Sequence, residues 1–296
     1  MPTKKIAFIG LGAMGGAMAE TLIKKQFRVT GYDMRPEAVA HLEKFGGKGA
    51  ASAEEAARGA EMLVLMVVSA DQAENALFDK DALEALKPDA TVVLCSTCAP
   101  DRIEAIARRV EKSGRSFVDA PVSGGVTGAK AGTLTIMAAA RNAVFAKAKP
   151  VLSAMGSNLF HLGEKPGQGA AMKVVNQLLC GVHIAVAAEG LAFAERAGID
   201  PKLALEVLSG SAAQSWMLKN RGPRMVDYDN VVTSAVDIFV KDLALVLAAG
   251  QGAKMGLPLA AVAHQLFLSA SGMGHGIEDD SQVIETYRAL SKKASS

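Results

Sequence analysis

Residues 5–16 read KIAFIGLGAMGG, a short apolar run that passes directly into closely spaced glycines. Gly10, Gly12 and Gly15 have the spacing G-x-G-x-x-G, and Asp33 ends the next apolar run about 20 residues further on. A strand that turns through three glycines into a helix, with an acidic residue after the next strand, is typical of a dinucleotide-binding βαβ unit. The alternative, a glycine-rich turn beside a capping aspartate, does not require the whole pattern.

The predicted turn gives each of its parts a role. The first glycine permits the tight turn, the second lets the backbone approach a pyrophosphate, and the third lets the helix pack close to its strand. The backbone N–H groups at the start of that helix then face the anion. The cofactor contacts expected in the turn are Gly10, Leu11, Gly12, Ala13, Met14 and Gly15.

Asp33 is expected to decide which dinucleotide is bound. Its carboxylate would accept hydrogen bonds from the ribose hydroxyls and would repel a 2′-phosphate, so NAD is favoured over NADP. Arg35 follows two residues later and keeps the use of NADP open as an alternative.

Apolar runs alternate with helical patterns throughout the first half of the chain. The predicted strands are Lys5–Ile9, Arg28–Tyr32, Met62–Val67, Thr91–Cys95, Phe117–Asp119, Leu134–Ala138 and Asn158–His161. The predicted helices between them are Ala13–Lys25, Pro36–Phe45, Ala53–Arg58, Asp71–Leu77, Pro100–Lys112 and Ala143–Leu152. This alternation is typical of right-handed βαβ units, so we expect an α/β fold with an N-terminal Rossmann domain and a doubly wound, mostly parallel sheet.

The pattern changes after His161, where the convincing strands stop and glycine and proline cluster at 163–169. We therefore predict an NAD-binding Rossmann domain at 1–164 and an all-α domain for substrate binding and oligomerisation at 165–296. A long central helix, Ala170–Ala197, would join them and measure about 42 Å. Because it is apolar on nearly every face, we expect other helices to bury it, including those of a second subunit in a homodimer or homotetramer.

The composition is that of a folded protein, with 50% hydrophobic and 21% charged residues among 296. The formal net charge is only +2, from 32 basic and 30 acidic side chains, and the basic residues are scattered. This balance gives no electrostatic reason to expect nucleic acid or an anionic membrane as a partner.

Three cysteines, Cys95, Cys98 and Cys180, are too few and odd in number for a disulfide framework, so a cytoplasmic location is expected. The C-x-x-C spacing of the first two has no second pair to complete a zinc site, and we interpret them as small residues at a strand end. No metal is expected. The central helix carries too many polar groups for a membrane span.

Lys173 is a single cation near the start of an otherwise apolar helical run. A lysine there opposes the helix dipole, so stability alone would not select it. Desolvation and the dipole are expected to lower its pKa towards the range useful for proton transfer. Asn176 and Gln177 follow at i+3 and i+4 and share its face, where they can orient a substrate. The alternative is an ammonium that reaches the surface along its stem.

Two further segments are open to more than one interpretation. Ser123, Gly124 and Gly125 expose backbone N–H groups and a hydroxyl, which suits a carboxylate but also suits a mobile turn. Lys241 and Asp242 are adjacent, and by themselves they indicate no more than a solvated ion pair.

Four motifs, in order, resemble those of the β-hydroxyacid dehydrogenase family, and the resemblance covers essentially the whole chain. They are Phe8–Gly15, Asp119–Gly125, Gly169–Asn176 and Val240–Leu243. The resemblance implies NAD-dependent oxidation of a small hydroxy acid, with Lys173 as the general acid/base. It also implies that Asn176 helps to bind the substrate, while many members carry a second asparagine where this chain has Gln177.

The same resemblance implies roles for the remaining candidate residues. The substrate carboxylate would be held by Ser123, Gly124 and Gly125. The further cofactor contacts would be Val67, Val68, Thr97 and Lys241, of which the first three lie at the ends of predicted strands. Ligands at the carboxyl ends of strands are expected in an open α/β sheet.

Several segments resemble the family members that oxidise L-threonate at C2, which predicts a four-carbon sugar acid as substrate. They are Asn176–Leu179, Gly181–Ala185, Ser215–Met217, Asn220–Arg221, Ser234–Leu243 and Glu278–Ser281. Gln177, His183 and Ser215 are candidates for a polar lining, although His183 is more simply a core histidine, and Asp280 with Ser281 is interpreted as a helix N-cap.

The alternative substrates are 3-hydroxyisobutyrate and tartronate semialdehyde. A non-catalytic dinucleotide-binding protein is the alternative from another class, but it need not keep Lys173. Imine reductases share the architecture and usually carry another residue at the lysine position.

Overall fold

The structure is a computed structural model, and it describes residues 4–290. The chain divides into two units, Met1–Lys173 and Val174–Ser296. The domain boundary predicted between residues 164 and 165 lies just before the long helix, whose first turns end the first unit.

The first unit holds a nine-stranded sheet among the residues that the structure describes. The strands are β1 (Lys5–Ile9), β2 (Arg28–Tyr32), β3 (Lys48–Gly49), β4 (Met62–Leu65), β5 (Thr91–Leu94), β6 (Ser116–Asp119), β7 (Val122–Ser123), β8 (Thr135–Ala139) and β9 (Asn158–Gly163). Their order is β3-β2-β1-β4-β5-β6-β8-β7, with β9 paired to β8. The first six are mutually parallel where they pair, whereas β8 is antiparallel to β6 and β7.

Helices cover this sheet. They are α1 (Ala13–Lys24), α2 (Pro36–Lys44), α3 (Ala53–Ala57), α4 (Ala70–Glu74), α5 (Ala82–Ala85), α6 (Pro100–Lys112), α7 (Gly125–Ala131) and α8 (Asn142–Met155). A π-helical turn, Asn75–Asp79, follows α4.

The strand β1 shows why the sheet is buried on both faces. Ile6 and Phe8 belong to one buried apolar cluster, and Ala7 and Ile9 belong to another. Since successive side chains of a strand point to opposite faces, both faces of β1 are covered. A continuous apolar run of this kind is typical of a strand in a parallel sheet.

The second unit is helical and begins within α9 (Gln168–Arg196). It continues with α10 (Pro201–Gly210), α11 (Trp216–Val226), α12 (Val236–Gly252), α13 (Pro258–Ala270) and α14 (Ile284–Leu290). Short turns at Ser271–His275 and Asp280–Val283 precede α14. The core of this unit is built around α9, α12 and α13, with Leu191, Leu243 and Phe267 among its buried side chains.

The predicted α/β class, with a mostly parallel sheet followed by a helical half, is confirmed. The short strands β3 and β7 and the helices α5 and α7 are not predicted from the sequence pattern. The helix predicted from Asp71 to Leu77 is instead split between α4 and the π-helical turn.

By length and composition alone, α9 could cross a membrane, and within residues 4–290 it is the single helix that could. In its most apolar window, 44% is buried inside the structure. One such helix is weak support for a membrane span, because the core helix of a soluble protein has the same length and composition.

Candidate functional site

The glycine turn between β1 and α1 leaves no room for side chains at two of its positions. Gly10 has φ +90°, and a Cβ there would lie 2.3 Å from the carbonyl oxygen of Met66. A Cβ on Gly15 would lie 1.9 Å from the carbonyl oxygen of Gly10. The turn therefore packs against the end of β4 and against its own helix, in the way that a dinucleotide-binding turn requires.

Asp33 directly follows β2 and is bonded to the glycine turn itself. Its Oδ2 accepts a hydrogen bond from the Leu11 N–H at 2.7 Å, and its Oδ1 accepts from the Arg35 backbone N–H at 3.0 Å and from Nε at 3.1 Å. Burial alone would raise the pKa of Asp33, but the hydrogen bonds from Arg35 and Leu11 lower it below its usual value. The carboxylate is thus ionised and fixed beside the turn.

The other predicted cofactor contacts in the first unit follow neighbouring parallel strands. Val67 and Val68 come after β4, and Thr97 comes after β5. The Val67 N–H donates to the Ser96 hydroxyl at 3.0 Å, and the Val68 N–H donates to Gln72 Oε1 at 2.9 Å. The carboxyl ends of β1, β2, β4 and β5 therefore carry the glycine turn, Asp33 and these three residues, and this arrangement fits a bound dinucleotide.

The Ser-Gly-Gly segment links β7 to α7. Ser123 ends β7, which pairs with β8, and Gly124 and Gly125 both have left-handed backbone conformations, with φ +125° and +62°. A Cβ on Gly125 would meet nothing within 4 Å, so its backbone is open on that side. The segment has the hydroxyl and the open backbone expected of a carboxylate cradle.

Lys173 lies near the start of α9 and is buried, with only 6% of the residue exposed. It does not reach the surface freely along its stem, as the alternative interpretation required. Burying an ammonium carries a large desolvation cost, so its position needs a reason other than fold stability.

Asp119, at the end of β6, holds the start of α9, a role that is not predicted from the sequence. Its Oδ2 accepts hydrogen bonds from the N–H groups of Gly167 and Ala170, both at 2.9 Å. A Cβ on Gly169 would lie 2.4 Å from the carbonyl oxygen of Met137, so the helix start also contacts the sheet backbone closely. Lys173 follows Gly169 by one helical turn. The only sequence signal for this role is that Asp119 is the first residue of the Asp119–Gly125 motif.

Burial also changes the ionisation of two groups in this part of the sheet. It raises the pKa of Asp119 to about 6, even though the α9 N–H groups favour the ionised form. Burial and the nearby charge of Asp119 raise the pKa of Cys95 to about 12. Cys95 and Cys98 are buried thiols and Cys180 is half-buried; none forms a disulfide.

In the second unit, four polar side chains form a continuous chain between α9 and α12. Asn176 Nδ2 donates to Gln177 Oε1 at 2.9 Å, and Gln177 Nε2 donates to Asp242 Oδ2 at 2.5 Å. Lys241 Nζ lies 2.7 Å from Asp242 Oδ1. Asp242 is buried, so the Lys241–Asp242 pair is not the solvated ion pair that the two residues alone indicated.

Among the remaining polar candidates, Ser215 has a structural role of its own. The Ser215 hydroxyl caps α11 by accepting from the Leu218 N–H. His183 is half-buried on α9. The predicted cap at Asp280 is wrong by one residue: Asp279 accepts from the Ser281 N–H, and buried Asp280 instead pairs with Arg221 at 2.7 Å. Within residues 4–290, His, Cys, Asp and Glu side chains form no group of three or more that could hold a metal.

The fold and this site define a dinucleotide-binding oxidoreductase. Residues 5–163 match the family described as "NAD binding domain of 6-phosphogluconate dehydrogenase". Residues 167–287 match "NAD-binding of NADP-dependent 3-hydroxyisobutyrate dehydrogenase". The chain belongs to the β-hydroxyacid dehydrogenase family, in its 3-hydroxyisobutyrate dehydrogenase-like branch, and is an NAD-dependent dehydrogenase of hydroxy acids.

Relatives with curated names align over nearly the whole chain. An L-threonate dehydrogenase of Cupriavidus necator is 41% identical over 97% of this chain and 97% of its own. A 3-hydroxyisobutyrate dehydrogenase of Pseudomonas aeruginosa is 37% identical over 88% of this chain and 90% of its own. A crystal structure described as 3-hydroxyisobutyrate dehydrogenase from Salmonella typhimurium is 41% identical, with a TM-score of 0.90, over 95% of this chain and 98% of that one.

Proposed function

We propose that the chain oxidises L-threonate to its 2-oxo acid with NAD, using Lys173 as the general acid/base. The observation that carries this proposal is a buried lysine one helical turn after the point where α9 is held to the sheet by Asp119. The name of the Cupriavidus necator relative supports L-threonate as the substrate.

The roles of the residues follow from their chemistry. Ser123, Gly124 and Gly125 bind the substrate carboxylate through the serine hydroxyl and backbone N–H groups. Lys173 takes the proton of the reacting hydroxyl, and in the reverse direction it returns that proton to the carbonyl oxygen. Asn176 and Gln177 fix the orientation of the acid.

The chemistry that NAD supplies when bound is acceptance of a hydride from the carbinol carbon. We assign its pyrophosphate to the turn at Gly10–Gly15 and its adenosine ribose to Asp33. Val67, Val68, Thr97 and Lys241 contribute further contacts. The protein itself supplies alignment and proton transfer.

The general-base role is tested with the variant Lys173→Ala. We expect kcat for L-threonate oxidation to fall at least about a hundredfold, because a positioned acid/base contributes about 10²–10⁴. NAD binding and the melting temperature should remain close to those of the unchanged protein. Lys112→Ala, an exposed lysine at the end of α6, is the matched control and should retain full activity. Nearly intact turnover in Lys173→Ala would remove the assignment.

The substrate is tested by measuring kcat/KM over a panel of hydroxy acids. L-threonate should give the highest value. The relatives named for 3-hydroxyisobutyrate make that acid the second candidate, and tartronate semialdehyde, assayed as reduction, is the third. If L-threonate is not turned over while 3-hydroxyisobutyrate is oxidised, the substrate assignment is reversed. If no acid is oxidised or reduced, a non-catalytic dinucleotide-binding role remains.

The preference for NAD over NADP is proposed from the ionised Asp33 carboxylate beside the turn. Asp33→Ala should lower kcat/KM with NAD and raise it with NADP, since a negative charge no longer faces the 2′-phosphate and Arg35 remains to attract it. An unchanged ratio of the two values would contradict this role.

We also propose a homodimer or homotetramer in the cytoplasm, with a Rossmann domain at 1–164 and a helical domain at 165–296. Large apolar side chains line one face of α9, and Phe193 is 73% exposed. They are Val175, Leu179, Val186 and Phe193. Light scattering should show an oligomer that Phe193→Glu weakens, and cell fractionation should place the protein in the soluble cytoplasmic fraction.

A further inference from the structure

We propose that Gln177 and Asp242 are positioning residues, which hold Asn176 so that its carbonyl oxygen accepts a hydrogen bond from a substrate hydroxyl. The proposal rests on the function proposed above, in which Asn176 binds the acid and Lys241 binds the cofactor. It gives Gln177 a role that acts through its neighbour, and it brings in Asp242, to which the sequence analysis assigned no function.

The hydrogen bonds of the Asn176 side chain determine which of its ends remains open. A carboxamide has two N–H donors and one carbonyl acceptor. Asn176 Nδ2 donates to Gln177 Oε1 at 2.9 Å and to Cys180 Sγ at 3.3 Å. Within the part of the chain that the structure describes, no hydrogen bond to Asn176 Oδ1 is present. The amide end is therefore held internally, and the acceptor end can receive a hydroxyl proton.

Gln177 can hold this orientation because its own carboxamide is fixed at both ends. Its oxygen accepts from Asn176, and its nitrogen donates to Asp242 Oδ2 at 2.5 Å. Gln177 is 7% exposed and Asp242 is 2% exposed, so neither can exchange these bonds for water at little cost. If the Gln177 side chain rotated by a half-turn, it would present a carbonyl oxygen to a carboxylate, which is unfavourable.

The close approach of α9 and α12 explains why glutamine fits at this position. A Cβ on Gly181, one helical turn after Gln177, would lie 2.8 Å from Leu243 Cδ2, so the helices are in tight contact here. Asparagine at position 177 would be shorter by one methylene, about 1.5 Å. It would not reach Asp242 without a movement of two packed helices.

Asp242 links this chain to Lys241. The Lys241 ammonium lies 2.7 Å from Asp242 Oδ1, on the other oxygen of the carboxylate that accepts from Gln177. Substitution of Asp242 should therefore disturb both Asn176 and Lys241, whereas substitution of Gln177 should disturb only Asn176, which faces the acid.

The experiment compares substrates with and without extra hydroxyls in a set of variants. The measured quantity is the ratio of kcat/KM for L-threonate, which has three hydroxyl groups, to kcat/KM for 3-hydroxyisobutyrate, which has one. Gln177→Asn and Asp242→Asn are each expected to lower this ratio about tenfold, because about one oriented hydrogen bond is lost. In Asp242→Asn the Lys241 ammonium holds the one remaining carbonyl oxygen, so the new amide nitrogen faces Gln177 Nε2 and cannot accept from it. Together the two substitutions should lower the ratio no further, since both break the same contact.

A swapped pair separates positioning from general damage to the core. In the double variant Gln177→Glu with Asp242→Asn, the new amide at position 242 can donate to the new carboxylate at position 177, so the contact returns with its direction reversed. We expect the substrate ratio to recover to within about threefold of its original value. The matched control is Asp279→Asn, which changes a buried, hydrogen-bonded aspartate that makes no contact with Asn176, Gln177, Asp242 or Lys241 in the described hydrogen bonds. It should lower the melting temperature without changing the substrate ratio.

The results separate failure of this inference from failure of the proposed function. An unchanged ratio in Gln177→Asn, or additive losses with no recovery in the swapped pair, would overturn the inference. If the unchanged protein oxidises neither acid, the proposed function fails, and the set is then scored by the Kd for NAD. Asp242→Asn should weaken NAD binding several-fold through Lys241, while Gln177→Asn should not. Equal affinities in the two variants would overturn the inference on that ground.

Discussion

The hydrogen bonds from Gly167 and Ala170 to Asp119, which hold the start of α9, can be tested through the dependence of stability on pH. The carboxyl group is fully buried, and burial raises its pKa from the usual 3.8 to about 6. Because the folded protein favours the protonated form, this group supports the fold fully below pH 3.8 and loses that contribution as the pH rises through about 6. The variant Asp119→Asn tests this dependence, because its amide oxygen can still accept hydrogen bonds from the N–H groups of Gly167 and Ala170.

The magnitude follows from the size of the shift. One unit of pKa corresponds to about 1.4 kcal/mol, so a rise of roughly two units removes about 3 kcal/mol of unfolding free energy between pH 3.5 and pH 7. Asp119→Asn has no carboxyl group to ionise at this position. As the pH rises from 3.5 to 7, the unfolding free energy of Asp119→Asn should therefore increase by about 3 kcal/mol relative to that of the unchanged protein, so the variant becomes the relatively more stable of the two.

The measurement is urea unfolding at several pH values between 3.5 and 7. Other titrating groups are common to both proteins, so the difference between the two curves isolates Asp119. Asp227→Asn removes an exposed carboxylate at the end of α11 and should give a curve nearly parallel to that of the unchanged protein. Parallel curves for Asp119→Asn as well, or a difference of opposite sign, would refute the reasoning.

Three other predictions test separate parts of the structure. Gly15→Ala would place a Cβ 1.9 Å from the Gly10 carbonyl oxygen, and titration calorimetry should show at least tenfold weaker NAD binding; unchanged binding would contradict the turn geometry. Iodoacetamide at pH 7 should alkylate Cys180 first and spare Cys95, whose pKa is raised to about 12 by burial, until the protein unfolds; early labelling of Cys95 by mass spectrometry would contradict its burial. Arg221→Met leaves Asp280 buried without its partner and should cost about 3–5 kcal/mol at pH 7 by urea unfolding. That loss should shrink as the pH falls and the Asp280 carboxyl, whose pKa burial already raises to about 6, becomes protonated; a loss independent of pH would contradict the pairing.

The parts of the fold that could be predicted are those encoded by neighbouring residues. The glycine spacing from Gly10 to Gly15 and the apolar run Lys5–Ile9 determine their own turn and strand, because φ angles and side-chain alternation are local properties. The strands β3 and β7 have two residues each, too few for alternation to be recognised. They depend on their partners in the sheet.

The parts of the site that could not be predicted depend on residues far apart in the chain. Asp119 bonds to Gly167 and Ala170, about fifty positions later, and Gln177 bonds to Asp242 across a still longer separation. The hydrophobic periodicity of a sequence reflects neighbouring residues, so it cannot predict contacts between such distant pairs. Even a local feature such as the helix cap is predicted one residue too late, at Asp280, because either aspartate is suited to a helix start. Only the ion pair of Asp280 with Arg221 distinguishes it from Asp279, which is the actual cap.

The proposed catalytic lysine and the proposed substrate-binding asparagine are each positioned by a different kind of contact, and the two kinds have different consequences for how the protein could change. Lys173 is placed by backbone contacts in the first unit, where a Cβ on Gly169 would collide with the Met137 carbonyl oxygen and Asp119 bonds to main-chain N–H groups. Asn176 is placed by side chains in the second unit, through Gln177 and Asp242. Substitutions change side-chain contacts one at a time, but they alter a packed backbone only with large strain. Single substitutions should therefore shift the choice of hydroxy acid more readily than they shift the proton-transfer chemistry.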